Sequence, residues 1–307
     1  MTGGSGTKTL VVSLSVLLGI VSAFMAVCAA FGLVTGEGEN AILAFGPGVI
    51  LGLGALGASL SLLRVGRRPV MTPKTGYLFV TLSWVLATAL GATPFVMYGA
   101  IPSYADAFFE TMSGFTTTGA SILTDIEALP RSLLLWRATT HWLGGMGIVV
   151  LTVAIFPLLG IGGRGIMEAE SPGPQVDKFT PKLSQTAKIL WLIYFGLTVI
   201  EATLLRLGGL TWFDAVTHAF ATMATGGFST RNASVAGFRS GYVDAVITIF
   251  MVLAGINFGL FWRSLRGDLK SVARDSELRA YLGILVTSTA IVVWDLSRTG
   301  VSGSVKE

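Results

Sequence analysis

Two short loops hold the residue types best suited to chemistry in this chain: Thr116-Thr117-Thr118-Gly119-Ala120-Ser121 and Ala224-Thr225-Gly226-Gly227-Phe228-Ser229. Each follows an apolar patch of about a dozen residues, 104–116 and 212–224, that is too short to cross a bilayer. A loop held at membrane depth survives only when it is buried in protein or faces water, because lipid offers its backbone no hydrogen bonds. Such a loop has free carbonyls, and a row of carbonyls can replace the water shell of a cation. Glycine permits the backbone turns that aim successive carbonyls one way. Threonine adds a hydroxyl oxygen. The loops therefore imply a filter for a bare cation, with the carbonyls of Thr116, Thr117, Thr118 and Gly119 in one strand and of Ala224, Thr225, Gly226 and Gly227 in the other.

The two loops belong to an internal repeat of 108 residues. Thr72-Pro73-Lys74 recurs as Thr180-Pro181-Lys182, and Asp106-Ala107 as Asp214-Ala215. Thr117, Gly119 and Ser121 recur as Thr225, Gly227 and Ser229, and Gly147-Ile148 as Gly255-Ile256. Each unit reads as outer helix, short re-entrant helix, loop, inner helix. Asp106 and Asp214 fall where the short helices should begin, so a carboxylate can cap free N–H groups at the positive end of the helix dipole.

Composition agrees with a membrane setting. Of the 307 residues, 52% are hydrophobic and 12% charged, half the charge of a usual soluble domain at about 25%. Seven segments are long enough to cross with their flanks: roughly 10–34, 41–63, 76–100, 138–160, 189–205, 245–262 and 280–296. Residues 10–34 carry no charge over 25 positions, longer than the core of a signal peptide. With the N-terminus in the cytoplasm, Lys8 and the loops 64–74, 161–188 and 263–279 place 14 of the 21 Lys and Arg residues inside, the positive-inside pattern. That works only if both short patches dip in and return to the same side. The net charge of +4 follows from this topology and calls for no nucleic-acid partner.

Other chemistry is poorly supplied. Cys28 is a lone cysteine and His141 and His218 are far apart, so no disulfide or zinc pattern forms within the chain. No carboxylate pair or Ser/His/Asp set converges on one site, so no enzyme is expected, and no cofactor. Among polar residues in apolar segments, Glu110 is a candidate for the pore mouth or for a hydrogen bond to the loop behind it. Asn257 is a candidate for the cavity below the filter or for a helix–helix hydrogen bond. Glu201 is expected at the interface or paired with Arg206, with a functional role in the membrane as the rival, and His141 as a packing residue at the outer start of an inner helix.

The stretch FFETMSGFTTTGAS (108–121) resembles the first pore loop of the bacterial Trk potassium-uptake membrane subunits, a family related to Ktr and HKT transporters. WLGGMGIVVLTVAIFPLLGIGG (142–163), TAKILWLIY (186–194), FATMATGGFST (220–230) and GINFGL (255–260) are similar in the same way. The resemblance implies an all-α, potassium-channel-like fold of repeated outer helix–pore helix–inner helix units. They would be arranged as a two-helix N-terminal domain over 1–70, pore units over 71–170 and 171–270, and the start of a third over 271–307. It further implies potassium as the ion, with sodium or rubidium in some members, and Gly119 and Gly227 as the key filter glycines. Also implied are a homodimer in the bacterial inner membrane, a cytosolic nucleotide-binding regulatory subunit, and symport as a common description. Since the sequence stops at Glu307, soon after the helix at 280–296, two filter strands supply half of a four-sided ring. The expectation is that residues 1–307 insert but do not conduct alone.

Overall fold

The computed structural model describes residues 3–63, 73–147 and 183–299. These residues form helices and loops and contain no strand. They fall into two units, Met1–Ala254 and Gly255–Glu307.

The first unit begins with α1 (Gly3–Val34) and α2 (Glu39–Leu63), packed side by side. In α1, Leu17, Val21, Met25 and Cys28 are fully buried while Val27 and Val34 are exposed. Positions three and four apart share a helix face, so α1 has one face against protein and one for lipid. The two backbones approach closely: a Cβ at Gly52 would lie 1.9 Å from Ser22 Oγ, and that hydroxyl donates to the Gly48 carbonyl at 3.1 Å.

Next come α3 (Pro73–Gly91), the short α4 (Thr93–Met97), α5 (Tyr104–Phe115) and α6 (Arg131–Gly145). They are followed by α7 (Leu183–Leu207), α8 (Trp212–Met223) and α9 (Gly241–Ala254). Proline at the start of α3 and α4 gives up an N–H that no helix bond would use. The short helix α5 packs on α3 and α6, and α8 packs on α7, α6 and α9. Trp142 of α6 ties the repeats together. Its ring stacks on Phe220 of α8 and Tyr194 of α7, with centroids 4.9 and 5.7 Å away. Its indole N–H donates to Thr198 Oγ1 at 3.1 Å.

The second unit holds α10 (Phe258–Leu265), α11 (Leu269–Ala273) and α12 (Ser276–Thr299).

Among the described residues, five helical segments are long and apolar enough to cross a membrane: Gly6–Val34, Glu39–Ser61, Lys74–Met97, Ala187–Leu207 and Ser276–Thr299. They coincide with five of the seven expected spans. The expected span 138–160 starts earlier, since α6 begins at Arg131, and its part beyond Gly147 lies outside the described residues. The expected span 245–262 is interrupted: α9 stops at Ala254 and α10 starts at Phe258. Asn257 explains the new start, because its Oδ1 accepts the Gly259 N–H at 2.9 Å, a helix N-cap.

Candidate functional site

The two short helices start and end alike. Ser103 Oγ accepts the Asp106 N–H at 3.4 Å, and Thr211 Oγ1 accepts the Asp214 N–H at 3.1 Å. The caps are thus the hydroxyl residues, and the aspartates sit in the first turn, where their charge favours the positive helix end. Asp214 is further engaged by Thr230 Oγ1 at 2.7 Å and by Arg231 at 3.5 Å.

At their C-termini, the Thr117 N–H donates to the Gly114 carbonyl at 3.1 Å and the Thr118 N–H to Ser113 at 3.0 Å. In the second repeat, Thr225 donates to Thr222 and Gly226 to Ala221, both at 2.9 Å. This pair of bonds is the Schellman motif, whose pivot is a left-handed residue, usually glycine. Here the pivot is threonine twice, with φ of 54° at Thr117 and 55° at Thr225. A left-handed backbone at a β-branched residue is strained by about 1–3 kcal/mol and points to function. Two residues on, Gly119 and Gly227 are left-handed as well, at φ 73° and 88°. The 108-residue repeat therefore extends to the backbone torsions.

The torsions set the carbonyls. No peptide bond among the described residues is cis, and in a trans peptide the C=O points opposite to the N–H that follows it. Because the N–H groups of Thr117, Thr118, Thr225 and Gly226 point back into their helices, the carbonyls of Thr116, Thr117, Ala224 and Thr225 point away from them. Thr116, Thr118, Thr225 and Gly227 are exposed. The negative ends of both helix dipoles face the same loops. The loops also touch each other: a Cβ at Gly119 would come within 2.1 Å of the Gly226 carbonyl oxygen.

Behind the loops lies a buried polar scaffold. Glu110 of α5 pairs with Arg137 of α6 at 2.9 Å, with side chains 0% and 1% exposed. Glu110 also accepts from Ser121 Oγ at 3.0 Å and from the Ile122 N–H at 3.1 Å. Arg137 reaches the Ser229 carbonyl at 3.3 Å and lies 4.0 Å from the centre of the Phe228 ring. One ion pair thus holds both strands. The second repeat uses an imidazole in place of the ion pair: His218, 108 residues after Glu110, meets Ser229 Oγ at 2.9 Å and the Asp214 carbonyl at 2.8 Å. In each repeat that serine accepts the N–H two residues on, Leu123 at 3.2 Å and Arg231 at 3.0 Å. Toward the loop ends, Asn232 bonds Asp125, Ile126 and Glu127 at 2.9, 2.7 and 3.1 Å.

The eight candidate filter residues thus come together in two adjoining strands. Glu110 lies behind the first strand and not at a mouth. Asn257 caps α10 and donates to Glu277 at 3.3 Å. Two expectations need correction. Glu201 is fully buried and makes no ion pair with Arg206, which turns to the Leu210 carbonyl at 3.2 Å and to the Trp212 ring. Helix α7 runs on to Leu207, so Glu201 sits a turn and a half inside it on the face packed against α8. His141 is not at an outer helix start but buried in the third turn of α6 against Phe228. Arg137 escaped the sequence reading because the span was drawn from 138, just past it. A basic residue beside an apolar run that also follows an acid-bearing short helix was the available signal.

The profile of the family described as "TrkH: Cation transport protein" matches residues 53–299. TrkH of Escherichia coli K12, described as a Trk system potassium uptake protein, is 45% identical over 228 residues, 72% of this chain and 47% of that protein. TrkH of Halomonas elongata is 40% identical over 255 residues, 80% of this chain and 52% of that protein. The crystal structure of the potassium transporter TrkH from Vibrio parahaemolyticus superposes with a TM-score of 0.77 at 32% identity, covering 95% of this chain and 59% of that one. The chain spans about half the length of the curated relatives it matches. The chain belongs to the TrkH family of cation transport proteins.

Proposed function

We propose that this chain supplies two carbonyl-lined strands, 116–119 and 224–227, to the selectivity filter of a membrane potassium transporter. The observation that carries this reading is the twin backbone: two Schellman ends pivoted on threonine, with left-handed glycines two residues on. Capping a helix with a Schellman end calls only for an unstrained glycine at the pivot, so capping alone does not account for the threonine strain. It does turn carbonyls away from the helices and into accessible space, where they can replace cation hydration. The potassium uptake named for the relatives supports the choice of ion. A homodimer in a bacterial inner membrane, with a nucleotide-binding regulatory subunit on its cytosolic face, belongs to the same reading.

The test is a chimaera in which residues 53–299, the span of the family match, replace the corresponding segment of the E. coli relative. It is expressed in a bacterium without potassium uptake of its own, on limiting potassium. Rescue of growth with rubidium uptake is expected. A chimaera that reaches the membrane, folds and passes no cation would overturn the reading.

Orientation has its own test. With Cys28→Ala as background, Arg67→Cys, Lys178→Cys and Lys270→Cys in residues 1–307 should resist an impermeant external thiol reagent in intact cells, because basic loops stay inside. Rapid labelling at any of the three would refute the cytoplasmic placement of its loop.

A further inference from the structure

The second filter strand is braced by a residue of the first repeat. His141 of α6 lies against the loop that follows α8, with its ring stacked on Phe228 at 3.9 Å and 18°. Its Nδ1 accepts the Phe228 N–H at 3.4 Å. By the trans-peptide rule used above, an N–H directed back at His141 sends the Gly227 carbonyl away from that ring.

The same ring explains Gly226. This glycine has no left-handed torsion, yet a Cβ there would meet His141 Nδ1, Cε1 and Cγ at 2.3, 2.5 and 2.6 Å. Glycine at 226 therefore leaves room for the imidazole. The brace is not part of the repeat: the residue 108 positions after His141 is Ile249, which is 57% exposed.

An imidazole accepts at Nδ1 only when its proton is on Nε2. Nε2 is buried and has no hydrogen-bond partner among the described residues. The ring is thus spent on one bond, to one filter peptide.

We infer that His141, as the neutral Nε2–H tautomer, is a positioning residue that sets ion preference by fixing the Gly227 carbonyl. The inference rests on the filter reading above. Its test uses two variants. In His141→Asn, Oδ1 can take the place of Nδ1 as acceptor. In His141→Phe, a ring still covers Gly226 and stacks on Phe228 but accepts nothing. Rubidium uptake by the chimaera is measured with and without competing sodium. Loss of one hydrogen bond to a filter peptide should lower the potassium-over-sodium preference of His141→Phe about tenfold, with His141→Asn keeping most of it. Wild-type preference in His141→Phe would overturn the inference while leaving the filter reading intact. Equal losses in both variants would overturn it too, as the mark of a packing role.

A second measurement needs no flux. The chain has only two histidines, so ¹⁵N-histidine spectra of purified residues 1–307 in lipid nanodiscs, assigned with His218→Gln, report the His141 tautomer directly. A proton on Nε2 alone at neutral pH is expected. A proton on Nδ1 would overturn the inference whatever the transport assay gives.

Discussion

Gly119→Ala in the chimaera is expected to lower potassium-over-sodium discrimination by about two orders of magnitude, while Gly227→Ala costs far less. Both glycines are left-handed, so both variants carry the backbone strain of a side chain at positive φ, about 1–2 kcal/mol. They differ in what the new methyl group meets. At Gly119 it would lie 2.1 Å from the Gly226 carbonyl oxygen, whereas at Gly227 nothing is within 4 Å. Relieving the first contact means moving one strand off the other by about 1 Å, since close-packed atoms do not yield. That shift displaces two rows of carbonyls together. Sodium competition against rubidium uptake measures the difference, and equal losses in the two variants would show that strand contact is not what Gly119 protects.

Removing one partner of the Glu110–Arg137 pair is expected to be the most destabilising polar change in the described residues. Both side chains are essentially unexposed. An uncompensated charge left there costs about 3–5 kcal/mol, whereas an apolar pair of similar volume is near neutral. Glu110→Leu and Arg137→Met should therefore each lower the thermal midpoint of the purified protein sharply, and the double variant should recover much of the loss. Selectivity should not recover with it. Ser121, the Ile122 N–H and the Ser229 carbonyl would still lack their partners, so both strands would be free to drift. A double variant as unstable as either single one would mean that the pair contributes packing alone. One with full selectivity would mean that the strands are held by other contacts.

The fold was largely legible because membrane helices announce themselves by length and lack of charge. Residues 10–34, 41–63 and 280–296 needed no more than that. The short helices were legible for the opposite reason, being too short to cross, and the 108-residue spacing placed their loops. What escaped were features that depend on contact between repeats. Arg137 and His141 lie on one helix of the first repeat and act on Phe228 and Ser229 of the second, and no spacing within one repeat relates them. Glu201 was misplaced because the charge of Arg206, five residues on, suggested a pairing that the helix geometry does not favour: neighbours on one face are three or four residues apart. The break after Ala254 was hidden by an apolar run that continues past it, with Asn257 giving a weak cap signal.

The central claim is that a dehydrated cation meets the carbonyls of 116–119 and 224–227 together. Crystals of the chimaera soaked in thallium or rubidium test this most directly, through the anomalous scattering of the ion. The account predicts ion density at direct coordination distance from carbonyls of both strands, in the accessible space beside Thr117 and Thr225. Well-ordered strands with no ion between them, in a chimaera that still transports, would contradict it.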